Sequence, residues 1–257
     1  MTKISILLPT YNCESTIEST LKSIEWADEI LVVDSFSNDS TLDRVKKFGA
    51  KVIQHEYINS AKQKNWALKF VSHDWVLQID SDETLEKGLK EEMFSRLSNI
   101  SSKVHCFQIP RKNFVLGQWK NVCDLYPDYQ TRLFKKDFAR FADKEVHAKI
   151  VCKGEILTLD HHIIHLGMPD ISKQLSNLDR YTRYEADELL KNNYQFKTSD
   201  IIFKPLAVFI LKYFFQGGYK FGMRGLILSL YNYTYVLFKY LKYWEIKELG
   251  LKRSPKT

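Results

Sequence analysis

The sequence predicts an α/β fold built on a doubly wound sheet, and three observations carry that prediction. The first hundred residues alternate short apolar runs with helical patterns. The runs are continuously apolar instead of alternating, which marks strands covered on both faces of a parallel sheet. The segments between them place apolar residues at helical spacing, so the order reads β-α-β-α-β-α-β.

Taken in order, "ISILLP" (4–9), "EILVVD" (29–34), "AKVIQ" (50–54) and "WVLQID" (75–80) are the strands. "ESTIESTLKSI" (14–24) carries Ile17, Leu21 and Ile24 on one helical face, and "DSTLDRVKKFG" (39–49) runs from an Asn38/Asp39 start to a Gly49 stop. "SAKQKNWALKFV" (60–71) fills the third gap. Beyond residue 104 the rhythm changes. "VHCFQIP", "QTRLFKK" and "EVHAKIVCKG" read as strands without intervening helices, which makes the second half of the sheet mixed. A helix is expected over 171–192, followed by a tail (201–244) dense in Phe, Tyr, Leu and Lys with a Gly217-Gly218 break.

Composition narrows the function classes. The 257 residues carry 38 Lys+Arg against 31 Asp+Glu, a formal charge of +7, so anionic company is expected. The basic residues form no interleaved patch on a recognisable motif, so nucleic acid is not expected as a partner. Four widely spaced cysteines (Cys13, Cys106, Cys123, Cys152) contain no CxxC pair and are expected to be reduced, in a cytosolic compartment. The N-terminus lacks the pattern of a signal peptide, and "LAVFILKYFF" (206–215), interrupted by Lys212, is too short to span ~30 Å of hydrocarbon.

Sheets of this type bind ligands at the carboxyl ends of their strands. Here those ends read Pro9-Thr10-Tyr11-Asn12, Asp34-Ser35 and Asp80-Ser81-Asp82. Asp80 and Asp82, separated by one residue, can aim oxygens at one hard divalent cation, Mn2+ or Mg2+, whose shell substrate phosphates complete. The alternative is that Asp82 caps a helix starting near Thr84, with Glu83 favouring its N-terminus. The GxGxxG turn of dinucleotide-binding sheets and the GxxxxGK[ST] loop are both absent. Three imidazoles in "HHIIH" (161–165) invite a zinc reading, but no cysteine lies nearby and strand alternation sends His162 and His165 to opposite faces.

"SILLPTYN" (5–12), "ILVVDSFSNDST" (30–41) and "LQIDSDE" (77–83) together resemble glycosyltransferase family 2, with its GT-A fold, a Rossmann-like mixed sheet flanked by helices. Within that family "WADEILVVDS", "QKNWAL", "YPDYQTRLF", "VH" (146–147), "RYTRYEA" and the segment 213–245 are most similar to bacterial lipopolysaccharide-core β-1,4-glucosyltransferases. The resemblance covers nearly the whole chain. It implies an inverting transfer of glucose from UDP-glucose to a glycan or lipid-linked saccharide acceptor, by a GT-A catalytic domain over 1–168 (nucleotide-sugar half to about residue 100) and a helical, aromatic and basic extension over 169–257. Pro9, Thr10, Tyr11 and Asn12 would border the nucleotide, Asp34 would hydrogen-bond the nucleoside, and Asp80, Ser81 and Lys64 (with Lys62 near by) would serve the donor sugar and diphosphate. Asp82, with Asp80, would hold the metal. His147, His165 and Arg132 are implied on the acceptor side.

Two departures from the family pattern stand out. The usual glycine of "DSGS" is Phe36, so the loop is expected to take a conformation open to a bulky side chain. The glutamate of "VHE" is Ala148, which removes the expected general base. Glu145, Asp143 and Asp128 are the candidates to replace it, Asp128 gaining if 145–148 is a regular strand. The loss also leaves open a non-catalytic nucleotide-sugar-binding protein. The tail reads as a helical pair packed on the catalytic domain and as a peripheral membrane contact. In the second reading Lys204, Lys212, Lys220, Arg224, Lys239 and Lys242 face anionic headgroups, on the inner face of the cytoplasmic membrane.

Overall fold

The computed structural model describes residues 2–142 and 149–250. The chain divides into two compact units, residues 1–113 with 127–167 and residues 114–126 with 168–257. The chain passes into the second unit for good at 167/168, and that unit also takes in 114–126.

The first unit begins with β1 (Ile4–Thr10), whose near-complete burial reflects its central place in the sheet. A turn over Cys13–Thr16 leads into α1 (Ile17–Ile24), which buries Ile17, Leu21 and Ile24 as its spacing requires. β2 (Glu29–Asp34), α2 (Thr41–Lys47) and the half-exposed β3 (Lys51–Gln54) complete the edge. α3 (Ser60–Ala67) starts at Asn59, whose side chain accepts a hydrogen bond from the Lys62 amide. β4 (Trp75–Gln78) returns beside β1, and β1 pairs in parallel with both β2 and β4.

The chain after β4 enters β5 (Glu83–Leu85), not a helix, so Asp82 caps nothing. α4 (Leu89–Ser98), β6 (Val104–Val115), β7 (Asp128–Lys135), β8 (Ala139–Phe141), β9 (Ile150–Cys152), β10 (Glu155–Thr158) and β11 (Ile163–Met168) follow. The main sheet runs β3-β2-β1-β4-β7-β6-β11-β5, with β10 also on β6, and β8 and β9 form a separate pair. β7 lies antiparallel between β4 and β6, which makes the sheet mixed. Cys106 of β6 and Cys152 of β9 are joined by a disulfide, their Cα atoms 6.4 Å apart. The expectation of four reduced thiols is therefore corrected, and the argument for a cytosolic compartment loses its basis. Only folding brings these strands together, 46 residues apart in sequence, so spacing gave no sign of the pairing. Cys13 and Cys123 are free and buried.

The second unit holds α5 (Ile171–Lys191), α6 (Ser199–Ile210) continued by a wider helical turn over Leu211–Phe215, a single tight turn over Gly218–Phe221, and α7 (Gly222–Leu249). A Cβ at Gly225 would lie 1.8 Å from the carbonyl oxygen of Gly218, so both glycines are needed where the chain crosses itself. The expected array of headgroup-facing cations is corrected. Lys204 pairs with Asp200 (3.0 Å), Lys212 with Asp124 (3.1 Å), Lys239 with Glu185 (2.8 Å) and Lys242 with Asp179 (2.9 Å). Long lysine stems fold back onto acids of their own unit, and among the described residues only Lys220 and Arg224 of the six lack one.

Candidate functional site

Three strand ends build the rim. Thr10 closes β1, and its hydroxyl donates to Asp34 Oδ1 (2.9 Å) at the end of β2. Asp34 is buried and also accepts from the Ser37 hydroxyl (2.5 Å), the Ser37 amide (2.9 Å) and Gln54 Nε2 (3.2 Å). Four donors occupy its two oxygens, so Asp34, expected to meet the nucleoside, instead fixes the 34–37 turn. The Ser37 hydroxyl in turn accepts from the Asn12 amide (3.0 Å), and Asn12 Oδ1 accepts from the Asn38 amide (2.9 Å). These bonds lock the first and second turns to each other.

On the locked turns Tyr11 and Phe36 are exposed, Phe36 by 59%. Phe36 has φ +60°, in the left-handed region that favours glycine. That conformation costs a residue with a Cβ roughly 1–2 kcal/mol. Such strain concentrates at functional positions. Phe36 was not among the candidate ligand contacts, although its place in the loop was visible.

The acids after β4 separate into two conditions. Asp80 is compensated: Oδ1 accepts from Lys64 Nζ (3.0 Å) and Gln78 Nε2 (2.8 Å), and Oδ2 from Arg132 Nη2 (3.0 Å). Burial works against its charge, but Lys64 and Arg132 more than offset that and hold its carboxyl well below the usual range. Glu83 lies beneath, fully buried, bonded to Arg132 (2.6 Å), to Arg111 (2.9 Å) and to the Asp80 amide (3.0 Å). Arg132, expected on the acceptor side, is buried as the link between Glu83 and Asp80. Asp80, expected as a metal ligand, is already neutralised by cations.

Arg111 continues the network to Asp128 (2.8 Å from Nε), which also accepts from Asn113 (2.9 Å) and Gln130 (2.5 Å). Burial raises the Asp128 pKa, yet Arg111 and these bonds lower it overall. A carboxylate so stabilised is a poor proton acceptor, so its candidacy as general base is corrected on this ground. Glu145, Asp143 and His147 lie outside the described residues.

Asp82 is in the opposite condition. Its side chain is 44% exposed, and its one ion-pair neighbour among the described residues is His165, with Nε2 3.5 Å from Oδ2. Burial raises its pKa and the His165 contact lowers it, with a net lowering that keeps it ionised. Asn113 Oδ1 accepts from His165 Nδ1 (2.7 Å), which orients the ring with Nε2 on the side of Asp82. This donor set, one carboxylate and one imidazole nitrogen, fits a divalent ion that draws its remaining ligands from phosphate oxygens and water. Among the described residues no three His, Cys, Asp or Glu side chains gather as a closed metal cage. Pro9 stays within β1, and the Ser81 carbonyl accepts from the Thr20 hydroxyl (3.0 Å).

Residues 5–154 match the family model for glycosyl transferase family 2. The chain belongs to glycosyltransferase family 2. It is a glycosyltransferase with the mixed sheet and flanking helices of the GT-A fold. It is 27% identical over 268 residues to an uncharacterized glycosyltransferase of Rickettsia bellii, covering 99% of this chain and 90% of that one. It is 24% identical over 259 residues (98% and 95% covered) to the lipopolysaccharide core biosynthesis glycosyltransferase LpsC of Rhizobium meliloti. Among solved structures, Staphylococcus aureus TarS 1–349 superposes with a TM-score of 0.49 at 18% identity, over 97% of this chain and 92% of that one.

Proposed function

We propose that this glycosyltransferase moves glucose from UDP-glucose, with inversion, to a saccharide acceptor of the lipopolysaccharide or lipooligosaccharide core or another surface glycan. The observation that carries the reading is the Asp82–His165 pair, an open anionic corner after β4 with His165 Nε2 beside it. The acceptor class draws support from LpsC, named for lipopolysaccharide core biosynthesis. The donor draws support from an Escherichia coli UDP-Glc β-1,3-glucosyltransferase that is 30% identical over 128 residues.

In this reading Tyr11 and Phe36 flank the base, and Thr10, Asn12 and Asp34 hold the turns that carry them. Lys64 and Arg132 keep Asp80 ionised and fixed, so Asp80 positions the loop that presents Asp82. Asp82 and His165 hold the divalent ion, which when bound offsets charge on the departing nucleoside diphosphate. Glu145 is the proposed base that takes the acceptor hydroxyl proton, with Asp143 the alternative. The acceptor reading places the protein peripherally at an anionic membrane surface.

The test is a donor panel with Mn2+ that scores nucleotide release in the presence of lipopolysaccharide-core acceptors. Release from UDP-glucose that depends on both metal and acceptor is expected. Release that chelation leaves unchanged would defeat the metal assignment, and turnover of another nucleotide sugar alone would defeat the donor.

A further inference from the structure

The second unit exposes an apolar stripe that its own packing leaves open. Ile202, Phe203, Leu206, Ile210, Phe214 and Phe215 recur at helical spacing along α6 and the wide turn after it, and all are exposed, Phe215 by 80%. Met223, at the start of α7, is 70% exposed. A contiguous apolar surface on this scale marks an interaction site. The Gly218–Gly225 crossing holds the corner at which the stripe ends.

The cations at that corner identify the occupant. Lys120 Nζ and Arg224 Nε donate to the backbone carbonyls of Lys220 and Leu116, and Lys220 lies over the Tyr219 ring. None of the three has a carboxylate partner among the described residues. A second copy meeting this face symmetrically would bring six like charges together. Anionic headgroups would compensate them, while the side chains between enter the acyl boundary. A full crossing is disfavoured. Among the described residues no single helix is long and apolar enough, and the pair Ser199–Phe215 with Gly218–Leu249 passes by length and composition only as a span bent by 64°.

We infer that the apolar face of α6 and its following turn lies in the interface of an anionic bilayer, with Lys120, Lys220 and Arg224 at headgroup level. This rests on the peripheral-membrane part of the proposed function and changes its physics. Attachment comes chiefly from buried apolar side chains, with charge secondary, and it therefore survives high salt.

The experiment is sedimentation of the full chain with vesicles of phosphatidylcholine alone or mixed with phosphatidylglycerol, at low and high salt. Phe215→Ser/Met223→Ser should weaken partition at both salts by about tenfold or more. Lys120→Ala/Lys220→Ala should weaken it several-fold on phosphatidylglycerol vesicles only. Phe215→Cys carrying an environment-sensitive dye should shift its emission to the blue on binding. All these side chains are exposed, so melting temperatures should match wild type. Wild-type partition with unchanged binding of Phe215→Ser/Met223→Ser would overturn the inference and leave the peripheral reading standing, as would release of most protein by salt. Failure of wild type to bind any vesicle would overturn both. A lipid-free dimer abolished by Phe215→Ser/Met223→Ser would make the face a self-association surface. Resistance to carbonate extraction would make the bent pair an integral element.

Discussion

The two halves of the acidic rim contain the same chemical groups under opposite conditions. In the inner half Asp80, Glu83 and Asp128 interleave with Lys64, Arg111 and Arg132, every carboxylate carries at least two donors, and Glu83 and Arg132 are buried. In the outer half Asp82 pairs, among the described residues, only with His165 at 3.5 Å, and Phe36 is held at positive φ and exposed. A buried charge is tolerable only when fully paired, whereas an exposed one can wait for a ligand. The difference teaches that the two aspartates of one short motif stand in different surroundings: the first is fixed by three donors, and the second keeps a half-exposed carboxylate.

The sharpest way to break that division is to neutralise the outer aspartate. Asp82→Asn should cut metal-dependent turnover by about 10³-fold or more, the several kcal/mol that a metal contributes at a departing charge. Its melting temperature should stay close to wild type, because no structural partner is lost. Retained turnover with a lowered melting temperature would place Asp82 among the anchors.

The inner half should answer in the reverse sense. Glu83→Gln strips Arg132 and Arg111 of a shared buried carboxylate, and should cost about 3–5 kcal/mol in denaturant unfolding. The acid limb follows from the same network. The folded pKa of Asp80 lies below its ordinary 3.8, so its contribution is fully present above pH 3.8 and is lost as pH falls through the lower folded value. Asp80→Asn should therefore flatten the stability loss of wild type below pH 3.8. An unchanged acid limb would remove Asp80 from the anchor.

An intermediate effect is expected at Asn113, which touches both halves through Asp128 and His165. Asn113→Ala frees the imidazole to turn, and should weaken Mn2+ binding by about 10–100-fold in calorimetry. Equal Mn2+ affinity in wild type and variant would show that the orientation of His165 is not used.

The sequence revealed these halves unequally. β1, β2 and β4 were legible because strands covered on both faces must be apolar throughout. The polar ends of those strands, including Asp80 and Asp82, were legible with them. The anchor was not. Arg132 reaches Asp80 and Glu83 from the antiparallel β7 next to β4, and nothing local marks an arginine for burial. Arg111 and Arg132 stand beside polar neighbours on β6 and β7, so their surroundings gave no signal either. The disulfide and the inward pairing of the tail lysines stayed hidden for the same reason, since each depends on a partner distant in sequence.

The smallest expected effect is also the one that separates strain from binding. Phe36 occupies a left-handed conformation that a glycine adopts freely. Phe36→Gly removes the steric cost of the Cβ but gives the unfolded chain more freedom, so the net gain should be no more than about 1 kcal/mol. If the ring contributes to holding the nucleotide base, the same variant should raise the apparent donor constant several-fold while turnover at saturating donor stays near wild type. A structural residue would show the first effect without the second. The combined measurement therefore decides whether the outer half keeps its strain for a ligand. A stabilised variant with an unchanged donor constant would assign Phe36 to the loop alone, and would leave Tyr11 as the aromatic side chain at this rim available to the base.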